Sequence, residues 1–134
     1  MNATKAHQRL DELGVLNTSH GPGIYALRVA VPSGVEAIQR EWLDAIDAPL
    51  PDAYAEQLAE SAVALYVGRS GNVYDRIMDH CKAKVRRASF IRAFEIKDIH
   101  GVWAADANTG VAERDRARAL SDGNTVVWTD GELF

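Results

Sequence analysis

The amino-acid sequence predicts a small α+β domain in which helices flank an antiparallel sheet. The length of 134 residues suits a single hydrophobic core, so residues 1–134 are expected to fold as one domain. Short segments rich in β-branched and aromatic residues are interspersed with longer segments of helical periodicity. The segment 94–99 alternates apolar and polar residues, as a strand with one buried face does.

The first half of the chain contains three predicted helices and two predicted strands. In order they are a helix at 4–13, a strand at 24–31, helices at 35–47 and 52–61, and a strand at 64–68. If the two strands pair antiparallel, Tyr25 and Tyr66 lie near one another. Residues 32–62 then form a helical, acidic insertion between the strands.

The second half begins with a predicted helix from Val73 to about Lys84, and residues 86–92 continue its basic character. The strand that begins at 94 extends to 104, with a bend or bulge at His100-Gly101. A helix at 111–120 with Thr109 as its cap and a strand at 125–128 complete the prediction.

Charge is distributed unevenly along the chain. Residues 69–97 carry eight basic and three acidic side chains, a net charge of +5, although the whole chain has a net charge of −4. Residues 36–60 carry seven acidic side chains and one arginine. A basic segment on an acidic body is typical of a local site for a polyanion. The candidate nucleic-acid contacts are Arg69, Lys82, Lys84, Arg86 and Arg87.

Other function classes find little support. No apolar run is long enough to span a membrane, and the first 14 residues lack the apolar core of a signal peptide. A single cysteine, Cys81, excludes an internal disulfide and forms no zinc motif. The predicted location is therefore the cytoplasm.

Two tripeptides, Gly23-Ile24-Tyr25 and Tyr66-Val67-Gly68, carry the strongest chemical signal. Arg76 and His80 follow four residues apart, so they project from one helix face. Cleavage of a phosphodiester requires a proton acceptor and stabilisation of charge on the phosphoryl oxygens. Tyrosine accepts or relays a proton when its pKa is lowered, arginine binds phosphate, and a carboxylate anchors a divalent ion. Glu113 is the best-placed carboxylate outside the acidic helices.

The order of these residues along the chain resembles the pattern of the GIY-YIG nuclease family: the two tripeptides come first and are followed by Arg76, His80 and Glu113. The stretch Tyr66-Val67-Gly68-Arg69-Ser70-Gly71-Asn72-Val73-Tyr74-Asp75-Arg76 matches the second family motif without a gap. The likeness covers roughly residues 21–31 and 64–128.

The resemblance implies a central antiparallel sheet of about three strands flanked by helices. It also implies hydrolysis of DNA with one divalent ion, Mg²⁺ or Mn²⁺. Tyr25 would be the general base or its proton relay, and Tyr66 would position the water and the phosphate. Arg76 would stabilise the phosphoryl charge, His80 would bond near Tyr25 or the phosphate, and Glu113 would be the sole protein ligand of the metal.

The chain departs from the family pattern in three places. Residues 26–65 separate the tripeptides where members have a short hairpin, and the helix after Glu113 is unusually charged. Asn124 is the candidate for a late family asparagine, although the proline that often precedes it is absent.

Two alternatives stay open: a catalytically inactive nucleic-acid-binding module of the same fold, and a protein-interaction domain that uses the acidic insertion. In the second, the insertion docks a basic partner or covers residues 82–92 until DNA displaces it. An RNA substrate is also compatible with the sequence.

Overall fold

A computed structural model describes residues 1–82, 88–105 and 110–134 of the protein. The fold is α+β, as predicted, with one sheet whose strand order is β3-β1-β2-β4-β5. The strands are β1 Gly23–Val29, β2 Val63–Ser70, β3 Ile96–Ala104, β4 Thr125–Thr129 and β5 Glu132–Leu133. The helices are α1 Ala3–Glu12, α2 Leu16–Ser19, α3 Val35–Ile46, α4 Asp52–Glu60, α5 Val73–Cys81, α6 Ser89–Ala93 and α7 Gly110–Leu120.

The antiparallel pairing of β1 with β2 is confirmed, and β3 pairs antiparallel with β1 on its other side. The predicted irregularity near His100-Gly101 is confirmed as well. Ala26 pairs with Gly101 whereas Leu27 pairs with Ile99, so His100 is the extra residue of a bulge.

The expected number of about three antiparallel strands is wrong, because the sheet has five strands and is mixed. β4 lies parallel to β2, and the chain reaches it through α7, since parallel neighbours need a crossover connection. β5 then folds back on β4 through Asp130-Gly131, where both residues have positive φ, 51° and 78°. Two successive residues of positive φ form the hairpin turn that best matches strand twist.

Two clusters of buried side chains cover the two faces of the sheet. The larger cluster joins one face to α1 and α3–α6, and the smaller joins the other face to Ala117 of α7. No helix in the described ranges is long and apolar enough to cross a membrane.

The acidic insertion belongs to the larger core. Trp42 of α3 is 5 % exposed, and its ring centroid lies 5.4 Å from that of Trp128 and 6.2 Å from that of Phe94. Arg92 of α6 also donates a hydrogen bond to the Ala45 carbonyl, so the insertion does contact one end of the predicted basic segment. Because Trp42 is buried against Trp128 and Phe94, removing the insertion would open the core.

Candidate active site

The register of β1 and β2 places Tyr25 and Tyr66 on the same face of the sheet. Tyr25 pairs with Gly68 and Tyr66 pairs with Leu27, so the two tyrosines are diagonal neighbours. Their ring centroids are 6.1 Å apart. Tyr25 is 1 % exposed, whereas Tyr66 is only partly buried and is the phenol that solvent reaches.

Both glycines of the tripeptides stand where another chain segment approaches closely. The Tyr25 ring lies over Gly68, and a Cβ at that position would come within 2.5 Å of Tyr25 Cζ. A Cβ at Gly23 would collide with the Trp103 carbonyl oxygen of β3 and come within 3.3 Å of Val73 Cγ2. The glycines therefore let the aromatic ring and the neighbouring strand approach the backbone.

Helix α5 brings Arg76 and His80 to the tyrosines. Its N-cap is Asn72, whose side chain accepts a hydrogen bond from the Asp75 backbone N–H. The side chain of His80 is fully buried, and its Nε2 shares a hydrogen bond of 2.9 Å with the Tyr25 hydroxyl. The His80 ring centroid lies 5.8 Å from each tyrosine ring. The structure thus brings together residues that are up to 55 positions apart.

The surroundings of the two phenols keep both of them neutral near pH 7. Burial raises the pKa of Tyr25 well above 10.0, and the negative charge that Tyr66 acquires when it ionises adds to that rise. The charge of Arg76 and a hydrogen bond from its side chain oppose the increase in pKa. Burial also raises the pKa of Tyr66, Arg76 opposes this, and the nearby charges of Glu113 and Asp130 add to it.

Glu113 lies in the first turn of α7 and is 8 % exposed. Its Oε1 accepts a hydrogen bond of 2.9 Å from the Thr129 hydroxyl, and its Oε2 is 3.7 Å from Arg69 Nε. The Thr129 Oγ1 is also 2.9 Å from the Val67 carbonyl oxygen. Thr129 thereby links Glu113 to β2 at Val67, the residue after Tyr66. Glu113 therefore lies near Tyr66 and so beside the tyrosine–histidine cluster.

The chemistry of Glu113 suits a hard divalent cation. Mg²⁺ is commonly held by one or two carboxylates, with waters and substrate phosphate oxygens completing its shell. No three His, Cys, Asp or Glu side chains gather into a metal-binding set within residues 1–82, 88–105 and 110–134. A site built on Glu113 therefore depends on water and phosphate oxygens for most of its ligands.

Of the candidate nucleic-acid contacts, Arg69 and Lys82 are among the residues that the structure describes, and the two have different surroundings. Arg69 is exposed beside Glu113, whereas Lys82 lines a shallow pocket of about 530 Å³ with Ala3 and His7 of α1. Lys84, Arg86 and Arg87 lie outside the described residues, and so does the predicted cap Thr109.

Asn124 lies apart from the predicted site residues. It precedes β4, next to Val63 at the start of β2, and its carbonyl accepts hydrogen bonds from the Ala62 and Val63 N–H groups. Tyr66 is three residues further along β2, about 10 Å at the usual rise of a strand. In this structure Asn124 forms a turn.

Sequence reasoning missed two residues that adjoin the site, Thr129 and Asp130. Threonine is a common strand residue, and nothing in the sequence indicates that Thr129 contacts Glu113. Asp130-Gly131 is a recognisable hairpin signal, so the turn that places a second carboxylate near Tyr66 could have been predicted.

Comparisons with protein-family models, with curated proteins and with solved structures returned no match to this chain. The family resemblance of the tripeptide motifs therefore stays a prediction.

Proposed function

We propose that the protein is a metal-dependent endonuclease that hydrolyses DNA phosphodiester bonds. The buried hydrogen bond between Tyr25 and His80, with Arg76 and Tyr66 beside it, carries the proposal. Burying a phenol and an imidazole costs free energy that apolar side chains would avoid. A chain that required only packing at this point gains nothing from these groups, whereas phosphodiester cleavage needs proton carriers and a guanidinium.

The geometry supports different roles for the two tyrosines. The pKa of Tyr25 is raised and not lowered as a phenolate base would require, because the side chain is almost fully buried. We therefore assign to Tyr25 the relay role, in which a neutral phenol donates its own proton while it accepts another. Its hydroxyl can donate to His80 Nε2 when that nitrogen is unprotonated. Tyr66 is the more accessible phenol, and we assign to it the positioning of the attacking water and the phosphate.

Arg76 and Glu113 supply the electrostatic part of the proposed reaction. Arg76 is half-buried and holds its positive charge next to both phenols, where it would stabilise negative charge on the phosphoryl oxygens. Glu113 would hold Mg²⁺ or Mn²⁺, which when bound withdraws charge from phosphate oxygens and acidifies a bound water. Arg69, exposed next to Glu113, would contact a DNA phosphate on the same side.

The decisive experiment is a cleavage assay on linear, branched, flapped and supercoiled DNA with Mg²⁺ or Mn²⁺. We expect Glu113→Gln to lower the cleavage rate at least about 100-fold, because a neutral amide oxygen binds the divalent ion much more weakly than a carboxylate does. Asp115→Asn on the same helix is the matched control, since the Asp115 side chain is 66 % exposed and pairs with Arg118. Its rate should equal that of the wild type.

Absence of wild-type cleavage on every substrate and with both metals would refute the proposal. Salt-dependent DNA binding that persists without cleavage, unchanged in Glu113→Gln, would instead identify an inactive nucleic-acid-binding module. RNA of the same shapes belongs in the panel, because phosphate contacts alone do not select DNA. The predicted cytoplasmic location is part of this proposal and is checked by fractionating cells that express the chain.

A further inference from the structure

Thr129 is a buried polar residue whose hydroxyl lies between two acceptors. Its side chain is 1 % exposed, and Oγ1 is 2.9 Å from both Glu113 Oε1 and the Val67 carbonyl oxygen. A hydroxyl has one proton, so the two acceptors share it or compete for it. The Val67 carbonyl fixes the hydroxyl relative to β2, and the hydroxyl in turn fixes one carboxylate oxygen of Glu113.

We propose that Thr129 is a positioning residue that selects the rotamer of Glu113 and leaves Oε2 as the metal-binding oxygen. This inference rests on the proposed metal-dependent function. Oε1 is occupied by the threonine hydroxyl, whereas Oε2 faces Arg69, whose side chain is 42 % exposed and has room to move towards a phosphate. Partners of metal-binding carboxylates hold their ligands in orientation, and losing one typically weakens metal binding about 10- to 100-fold.

Thr129 is the last residue of β4, a strand that the sequence predicts at 125–128 without predicting its position in the sheet. Because β4 pairs parallel with β2, with Tyr66 opposite Trp128, Thr129 stands one residue beyond that pair and level with Val67. The extension of the sheet beyond three strands thus delivers a hydrogen-bond donor to the predicted site.

The test measures Mn²⁺ binding to the purified full chain by electron paramagnetic resonance, with and without a short DNA duplex whose phosphates complete the shell of the ion, and urea unfolding is measured alongside. The signal of the duplex alone is subtracted. Thr129→Val should weaken Mn²⁺ binding at least 10-fold, and Thr129→Ser should stay within about 3-fold of the wild type. Thr125→Val, at the opposite end of β4, is the matched control and should bind Mn²⁺ normally. If Thr129→Val does not fold, Thr129→Ala against Thr129→Ser isolates the hydroxyl, because both variants lack the methyl group.

Unchanged Mn²⁺ affinity in a folded variant that lacks the hydroxyl would overturn the inference and leave Thr129 a structural role only. A wild-type chain that binds no Mn²⁺ would also overturn it, since no ion is then positioned. A wild-type chain that binds Mn²⁺ but cleaves no nucleic acid would refute the nuclease proposal alone. The positioning role of Thr129 would then still be decided by the Mn²⁺ affinities of its variants.

Discussion

Replacing Gly68 by alanine tests the contact that joins the two tyrosine motifs. The added Cβ would lie 2.5 Å from Tyr25 Cζ, against about 3.4 Å for an ordinary contact, so the ring must move by about 0.9 Å. Tyr25 is 1 % exposed and has little room to move. A shift of this size is also enough to break its hydrogen bond to His80, which is 2.9 Å long.

The expected loss of stability is about 3 kcal/mol. Overpacking a buried site costs about 1–3 kcal/mol, and losing a buried hydrogen bond adds about 1–2 kcal/mol. With a urea m-value of about 2 kcal/mol/M, the unfolding midpoint should fall by about 1.5 M. The measurement is urea unfolding at pH 7, followed by tryptophan fluorescence.

Gly71→Ala is the matched control, because a Cβ at Gly71 meets no atom within 4 Å and its φ is not positive. Its free energy of unfolding should stay within about 0.5 kcal/mol of the wild type. If Gly68→Ala were as stable as Gly71→Ala, the close approach of Tyr25 to Gly68 would not exist in the protein, and the geometry assigned to the site would be wrong.

Three further predictions follow from the core, the buried phenol and the exposed arginine. Burial raises the pKa of Tyr25 well above 10.0, so the stability from its neutral form is present below pH 10 and lost as the pH rises further. Above pH 10 the free energy of unfolding of Tyr25→Phe should therefore fall by about 1.4 kcal/mol less per pH unit than that of the wild type. Urea unfolding at several pH values measures both slopes, and identical slopes would contradict this expectation. Trp42→Ala should lower the free energy of unfolding by about 3–5 kcal/mol, because the ring is buried against Trp128. Leu43→Ala is the control, since Leu43 is 50 % exposed, and it should lower that free energy by less than about 1 kcal/mol. Equal losses in the two variants would be inconsistent with a core role for the insertion. Arg69→Gln should reduce the slope of log K for DNA binding against log salt by about 0.9, and an unchanged slope would show that this arginine contacts no phosphate.

The sequence was sufficient to predict the part of the site that depends on local periodicity. Alternation along a strand and the four-residue spacing of a helix determine which side chains share a face. Tyr25 and Tyr66 are therefore neighbours once β1 pairs with β2, and Arg76 and His80 project from one face of α5. The Asn72 cap is likewise a local signal. That these two pairs meet was expected only from the family resemblance.

The rest of the site depends on how distant segments pack. Whether β4 joins the sheet beside β2, and in which direction, is decided by burial of the whole chain, so the contact of Thr129 with Glu113 has no local signature. The burial of Trp42 is a similar case. An amphipathic acidic helix between two strands has the pattern of an appended element, and only the structure shows that its apolar side completes the core.

The parallel pairing of β2 with β4 also determines the order in which parts of the protein can fold during synthesis. Val67 and Thr129 are 62 residues apart, so their contact closes a long loop and should form late and slowly. During translation at about 5–20 residues per second, several seconds separate the synthesis of α5 from that of β4. Throughout that interval one edge of β2 is open, and an exposed strand edge promotes aggregation. A nascent chain of this protein should therefore depend on shielding by the ribosome or a chaperone until β4 closes the sheet.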